Sequence, residues 1–261
     1  MKRPIVEILL LSEKRKNVLL LLQAGPKEMQ ELIGAVDTTR TILLPQMKVL
    51  KESHLISQHD DTYELTTIGK LIVEKMADFL GTAEMFGENS DYLGTHNIDF
   101  IPQHLLKELP EIGSCEIVNI PLYNIFDQDI ELLQKALRSK RWLEITSVLY
   151  PTFYEFYAQM IENEIDTSVI ITQEFYDKAK KEYYHQFKDI INLKLITLYL
   201  YPEKLDFTSF ILAGECMSFR LFTNEGEFDH RKMQICGPAV PGGGKELFEY
   251  YRQRSTLIID I

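Results

Sequence analysis

Apolar positions in this chain keep a helical period up to residue 80, and strand and helix patterns alternate beyond residue 100. Residues 4–11 read as a short apolar helix. Ser12 caps a second over 13–24, which Gly25 and Pro26 stop. Its run VLLLLQ is apolar nearly all round, so it is expected to be buried on more than one side. Residues 27–33 form the next helical pattern, broken by Gly34. In the stretch 38–53, Leu43, Met47 and Leu50 fall at i, i+4 and i+7 and define an inward face. Thr38, Thr39, Arg40, Thr41, Lys48 and Lys51 fall off that face. Asp37 or Thr38 is the expected N-cap. Pro45 interrupts the pattern, because a proline has no N–H and its ring collides with the carbonyl four residues back, here that of Thr41. Either the helix kinks there, or it begins near Pro45 and 38–44 is a separate turn.

Two short strand patterns follow, 55–58 and 63–66, about a tip of His59, Asp60, Asp61 and Thr62. Thr66 or Thr67 then caps a long helix through Leu80. Its apolar positions Ile68, Leu71, Ile72, Met76, Phe79 and Leu80 pair with their copy in a second subunit or pack on the chain's own core. Helices followed by a hairpin in this order predict a winged helix-turn-helix, whose third helix enters the DNA major groove. The candidate DNA contacts are Thr38, Thr39, Arg40, Thr41, Gln46, Lys48 and Lys51 on the third helix, with His59 on the wing.

Residues 82–100 are polar and carry Gly87 and Gly94, so they read as a linker between a domain over 1–81 and another over 101–261. In the second domain, 101–109, 127–139, 151–163, 174–190 and 244–254 read as helices. Residues 116–120, 143–149, 167–172, 193–199, 207–213 and 217–223 read as strands. That alternation predicts an α/β domain with a largely parallel sheet and an antiparallel edge. The expected fold class is therefore an α+β winged helix-turn-helix domain followed by an α/β domain.

With 261 residues, the chain is too long for a winged helix alone. Its net charge of −11 is unevenly spread. Residues 1–75 hold 11 Lys and Arg against 10 Asp and Glu, whereas 76–261 hold 17 against 29. A neutral head on an acidic body excludes a non-specific nucleic-acid binder. Cys115, Cys216 and Cys236 are far apart and odd in number, which argues against a disulfide framework or a zinc site and for a reducing cytoplasm. No apolar run approaches the ~20 residues a membrane span needs, and no secretory signal is expected.

The segments SEKRKNVLLLLQAGPKEMQELI, TTRTILLPQMKVLKESHLI and YELTTIGKLIVEKM, with IPQHLLKEL, LYPTFYEFY and KELFEYYRQRS, resemble archaeal winged-helix transcriptional regulators of the methanogenesis-regulator (FilR) type. The resemblance covers nearly the whole chain, the proline of the third helix included. It implies a DNA-binding head and a C-terminal domain that senses an effector. The strand order also looks similar to the phospholipase-D-like sensor domains of some archaeal sugar regulators, which would make the second domain a phospholipase-D-like sandwich; this is an analogy of fold alone.

Catalytic motifs are incomplete. His230 and Lys232 supply His-x-Lys, but Gly237 stands five residues after Lys232 where the phospholipase-D motif has Asp. The run PGGGKE over 241–246 lacks phosphate-loop spacing and reads as a lead-in to the last helix. The six histidines show no metal spacing, and Asp127, Asp129 and Glu131 read as helix capping. Neither a catalytic residue, a metal nor a cofactor is therefore expected. The carboxyl ends of the strands, where ligands sit in open α/β sheets, carry Ser147, Tyr150, Thr172 and Gln173 among many aromatics. These four are the candidate effector contacts. The expected partners are double-stranded DNA, a second copy of the chain and a small-molecule effector. The alternative is a protein-interaction module built on the winged helix, favoured by Asp60, Asp61, Ile42 and Leu44.

Overall fold

A computed structural model of the chain describes residues 4–125, 127, 129–193 and 196–260, in two compact units, Met1–Ala83 and Glu84–Ile261.

The first unit is the expected winged helix. Helix α1 (Ile5–Leu10) precedes α2 (Glu13–Gln23), whose N-cap Ser12 accepts from the Arg15 N–H. A two-residue strand, β1 (Lys27–Glu28), then pairs with the wing, where sequence periodicity gave helix from residue 27. Glu28 closes a reciprocal capping box with Glu31 and starts α3 (Met29–Ala35). Gly34 lies inside α3 and does not end it. Helix α4 (Arg40–Glu52) has Thr39 as its N-cap, one residue after Thr38 and two after Asp37, the two expected caps. The helix runs unbroken across Pro45, which excludes a start at the proline. Pro45 is exposed, while Leu43, Met47 and Leu50 are fully buried. Burying three large side chains is worth ~1.5–3 kcal/mol each, against ~3 kcal/mol or more for one interior proline, so packing wins.

Strands β2 (Ile56–His59) and β3 (Thr62–Leu65) form the wing, with His59 opposite Thr62 and only Asp60 and Asp61 at the tip. Thr66 caps α5 (Thr67–Glu88) by accepting from the Gly69 N–H at 2.9 Å. Gly69 is required there: a Cβ on it would lie 2.0 Å from the Leu55 carbonyl oxygen. The core joins Val18, Leu19 and Leu22 of α2, Met29 and Leu32 of α3, the α4 face, Tyr63, and Val73 and Met76 of α5.

The stretch read as a linker is folded. Helix α5 continues to Glu88 and α6 (Ser90–Leu93) follows. The reason is apolar: Met85, Tyr92 and Phe100 are buried in the core of the second unit. That unit continues with α7 (Gln103–Ile112), β4 (Ser114–Asn119), α8 (Ile130–Ser139), β5 (Arg141–Thr146), α9 (Phe153–Glu162) and β6 (Asp166–Thr172). The pattern read as one helix over 174–190 is two, α10 (Gln173–Glu182) and α11 (Tyr184–Leu193). Strands β7 (Ile196–Tyr201), β8 (Phe207–Ala213), β9 (Cys216–Leu221) and β10 (Arg231–Cys236) precede α12 (Val240–Arg252) and the short β11 (Thr256–Leu257). The sequence pattern missed β10 and β11. Gly242, Gly243 and Gly244 lie inside α12, not ahead of it; a Cβ on Gly244 would meet Leu212 Cδ1 at 2.8 Å, so small residues let the helix approach β8.

The sheet has eight strands in the order β11-β7-β6-β5-β8-β9-β10-β4. Only β5, β6 and β7 run parallel; the other pairings are antiparallel. The sheet is thus mixed, not largely parallel, because tight returns such as that between β8 and β9 cannot join parallel neighbours. Helices cover both faces. One face packs Ile145, Phe210 and Phe219 on α7 and α12; the other packs Trp142, Val169 and Leu198 on α8 to α11. Cys216 and Cys236 stand directly opposite on β9 and β10 and form a disulfide, contrary to the expectation from their wide spacing. Cys115 is free, and burial pushes its thiol up to about 11. No helix among the described residues is long and apolar enough to cross a membrane.

Candidate functional site

The first candidate is the face formed by α4 and the wing. An open groove between them is lined by Thr41, Leu44, Pro45, Met47, Lys48, Lys51, Gln58 and Tyr63. Leu43, Met47 and Leu50 turn inward, so the alternate side of α4 presents Arg40, Thr41, Lys48 and Lys51 to solvent. Each cation of this face has an intramolecular partner. Arg40 Nη2 lies 3.0 Å from Asp61 Oδ1 at the wing tip, Lys48 3.8 Å from Glu52, and Lys51 donates to Gln58 Oε1 at 2.7 Å. These pairs are solvent-exposed, and such pairs hold only about 0–1 kcal/mol, so a phosphate can displace them.

The remaining predicted contacts are placed unevenly. Thr39 is the exposed N-cap of α4, and His59 projects from the wing, 3.8 Å from Glu64. Thr38 is half-buried and accepts from Lys14 Nζ at 2.7 Å. Gln46 is turned away from the groove: its Oε1 accepts from Nη1 of the buried Arg15, whose Nε donates to the Ile8 carbonyl. Gln46 therefore helps tie α1, α2 and α4 together. Ile42 and Leu44 stand 49% and 44% exposed on the same helix.

The second candidate lies in the second unit, over the face of β5, β8 and β9 that carries Glu144. Trp142, Glu144, Tyr150, Thr152, Phe153, Phe156, Tyr157, Phe175, Ser209, Ile211 and Arg220 line a crevice with Asp127 and Asp129. It encloses about 620 Å³ with its open mouth, of which about 60 Å³ admits the centre of a water molecule. Strand alternation puts its polar groups there. Glu144 on β5 shares a face with Trp142 and Thr146; Ser209 on β8 stands opposite both Thr146 and Arg220 of β9.

Glu144 is a carboxylate at 6% exposure. Its Oε2 accepts from Trp142 Nε1 at 2.9 Å and from the Tyr157 hydroxyl at 3.1 Å. Burial raises its pKa above the usual carboxylate value; the two hydrogen bonds and the charge of Arg220 act the other way. Burial, then the neighbouring Glu144, also drives the Tyr157 hydroxyl well upward. Arg220 Nη1 donates to the Ile125 carbonyl at 3.0 Å and to the Tyr150 hydroxyl at 2.9 Å. Asp129 caps α8 and pairs with Lys232 Nζ at 2.5 Å.

Of the four effector contacts expected from sequence, Tyr150 alone lines this crevice. Ser147 donates to the Thr208 carbonyl. Thr172 is buried as the N-cap of α10, accepting from the Phe175 N–H. Gln173 is exposed and donates to Asp177. Glu144 and Arg220 escaped the sequence reading, although each interrupts an apolar strand pattern, WLEIT and CMSFRL. The His-x-Lys pair is dispersed: His230 is exposed beside Asp229, and Lys232 is buried against Asp129.

Residues 123–254 match the family described as the methanogenesis regulatory protein FilR1, middle domain, and residues 4–86 match that of the HVO_A0261 N-terminal domain. A curated relative, the methanogenesis regulatory protein FilR1 of Methanothrix harundinacea (strain 6Ac), is 23% identical over 256 residues, covering 96% of this chain and 57% of that protein. The chain thus spans little more than half the length of that relative. Among solved structures, the archaeal chromatin protein TrmBL2 is similar over 97% of this chain and 98% of its own, with 14% identity and a TM-score of 0.44. A phospholipase D family member, Nuc from Salmonella typhimurium, is similar over 56% of this chain and 97% of its own, with 12% identity and a TM-score of 0.40.

Proposed function

The chain belongs to the family of the methanogenesis regulatory protein FilR1 middle domain, and on that premise we propose that it is a DNA-binding transcriptional regulator. The observation that carries this reading is the face of α4 with its wing, where Arg40 is exposed and Thr41, Lys48 and Lys51 line an open groove. In this reading Arg40 and Lys48 meet bases and phosphates in the major groove, Thr39 and Thr41 support them, and His59 lies over the backbone beside it. Gln46 drops out, because Arg15 holds it. The relative's regulatory name points the same way.

The regulator acts as a homodimer. Ile68, Leu71 and Phe79 on α5 are 58%, 63% and 57% exposed at helical spacing, an apolar stripe that a second copy would cover. Residues 101–261 form the sensing part, which binds a small molecule in the crevice at Glu144 and carries out no catalytic step. The protein works in the cytoplasm, where its DNA is; its cysteines no longer argue for that, since two are paired. A fluorescence-anisotropy titration on duplexes from the protein's own promoter tests the reading. Affinity for one duplex should exceed that for scrambled sequence and fall steeply with salt as counterions are released. Failure to bind any duplex specifically at low salt leaves the second reading, a protein-interaction module, which the exposed Ile42 and Leu44 on α4 favour.

A further inference from the structure

We propose that the crevice over β5, β8 and β9 binds a free α-amino acid, with the ammonium on Glu144 and the carboxylate on Arg220. The inference rests on the reading of the second unit as a sensor and names the chemical class it senses.

Of the charged side chains that line the crevice, Glu144 and Arg220 are of opposite sign, and each has hydrogen-bonding capacity left over. Both donors to Glu144 reach Oε2, and Oε1 receives none among the described residues. Both acceptors of Arg220 are met by Nη1, which leaves Nε and Nη2 without partners among the described residues. The two do not neutralise each other by contact, because no ion pair joins them among the described residues. They stand on β5 and β9 with β8 between and two residues out of register, so their backbones are roughly 12 Å apart at ~4.8 Å per strand and ~3.3 Å per residue. Arg220 is also held sideways by the Ile125 carbonyl and the Tyr150 ring and hydroxyl. The arrangement keeps a buried anion and a half-buried cation apart, with a gap between them.

Charge balance selects the occupant. A simple amine would satisfy Glu144 and leave Arg220 facing a second cation. A simple acid would satisfy Arg220 and bring another anion toward Glu144, Asp127 and Asp129. A zwitterion with both charges on one carbon meets both groups and adds no net charge to a site where charge is costly to bury. Size agrees. Space of about 60 Å³ for water centres suits a few heavy atoms, since one water needs roughly 10–15 Å³ on that measure. An amino-acid head group fits there, and its side chain would meet the aromatic lining of Phe153, Phe156 and Phe175.

The test uses the full chain and needs no variant at first. Thermal shift and calorimetry are run with the proteinogenic L-amino acids, and each binder is compared with its two truncated forms. For leucine these are 3-methylbutylamine and 4-methylpentanoate; for phenylalanine, 2-phenylethylamine and 3-phenylpropanoate. At least one amino acid should bind at millimolar concentration or below, and both truncated forms should bind about 10- to 100-fold more weakly, the worth of one charge-assisted hydrogen bond. Glu144→Gln and Arg220→Lys should each weaken binding by a similar factor. Glu144→Gln keeps an acceptor for Trp142 and Tyr157, so its unliganded melting temperature reports whether folding survives. The proposal is overturned if no amino acid binds, or if an amine or an acid binds as tightly as its parent. Promoter affinity is measured in parallel with each compound. An amino acid that binds with the stated selectivity but leaves DNA affinity unchanged upholds the site and removes its role as the regulator's sensor.

Discussion

The face of α4 and the crevice at Glu144 use charge in opposite ways. Around α4, Arg40, Lys48 and Lys51 pair with Asp61, Glu52 and Gln58 at the surface, where water screens them. In the second unit Glu144, Lys232 and Asp229 are nearly buried, and each is fixed by specific partners. Exposed pairs cost little to break, so the α4 face can exchange its partners for phosphates at almost no cost in stability. Buried ones cannot be stripped of a partner without leaving a charge in low dielectric. The contrast fits the two tasks proposed above: contact with a large polyanion on the one hand, and selection of one small molecule on the other.

The largest expected effect is in the second unit. Trp142→Ala removes a fully buried ring and a donor to Glu144, and should cost about 3–5 kcal/mol in a denaturant titration. A loss below about 1 kcal/mol would show that the Glu144 side of the sheet is loosely built, which would dissolve the contrast. Next comes Arg40→Ala, which should leave stability nearly unchanged yet reduce discrimination at one base pair by about 1–3 kcal/mol. Anisotropy on a set of single-base operator variants reads this. Equal loss on every sequence makes Arg40 a phosphate contact.

Acid stability sharpens the same comparison. Burial alone would raise the Asp229 pKa, but hydrogen bonds from Arg231, its charge and that of His96 outweigh it and hold the carboxyl at about 2, below its ordinary 3.8. A depressed carboxylate stabilises the fold fully above its unfolded value. That contribution, about 2 kcal/mol, is lost as pH falls from near 4 through 2. Asp229→Asn should flatten the dependence of melting temperature in that window, whereas Asp61→Ala should leave it intact. The smallest effect is that of Asp61→Ala itself. It changes stability by less than about 1 kcal/mol and frees Arg40, so promoter affinity should rise. A fall in affinity would mean that the wing must hold Arg40 in place for DNA to be read.

The first unit was largely legible in the sequence. The inward face Leu43, Met47 and Leu50 and the wing strands around Asp60 and Asp61 follow from local periods and turn residues. The errors there were ones of competition between local and tertiary terms. Pro45 and Gly34 are poor helix residues, yet both lie within helices, because neighbouring side chains gain more by burial than those residues lose. The stretch 82–100 was misread for a similar reason: its glycines and polar residues suggested a linker, but Met85, Tyr92 and Phe100 are anchored in the core.

The crevice was not legible as a site. WLEIT, CMSFRL and RKMQIC each show a polar residue on an otherwise apolar strand, and that much is visible along the chain. What cannot be read is that Glu144, Ser209 and Arg220 line one crevice, or that Cys216 meets Cys236 across 20 residues. Tyr150 follows a strand end and lines the crevice, while Thr172, at another strand end, is consumed in capping α10.

Periodicity, capping residues and turn residues act over a few neighbours, so the sequence by itself determined the winged helix, most of the element boundaries and the split in charge between the two halves. Strand order, the mixed direction of the sheet and the placing of Glu144 and Arg220 in one crevice were decided only by tertiary structure. They depend on pairings between segments far apart in the chain, chosen by which faces bury most apolar surface together, and no local period along the chain records that choice.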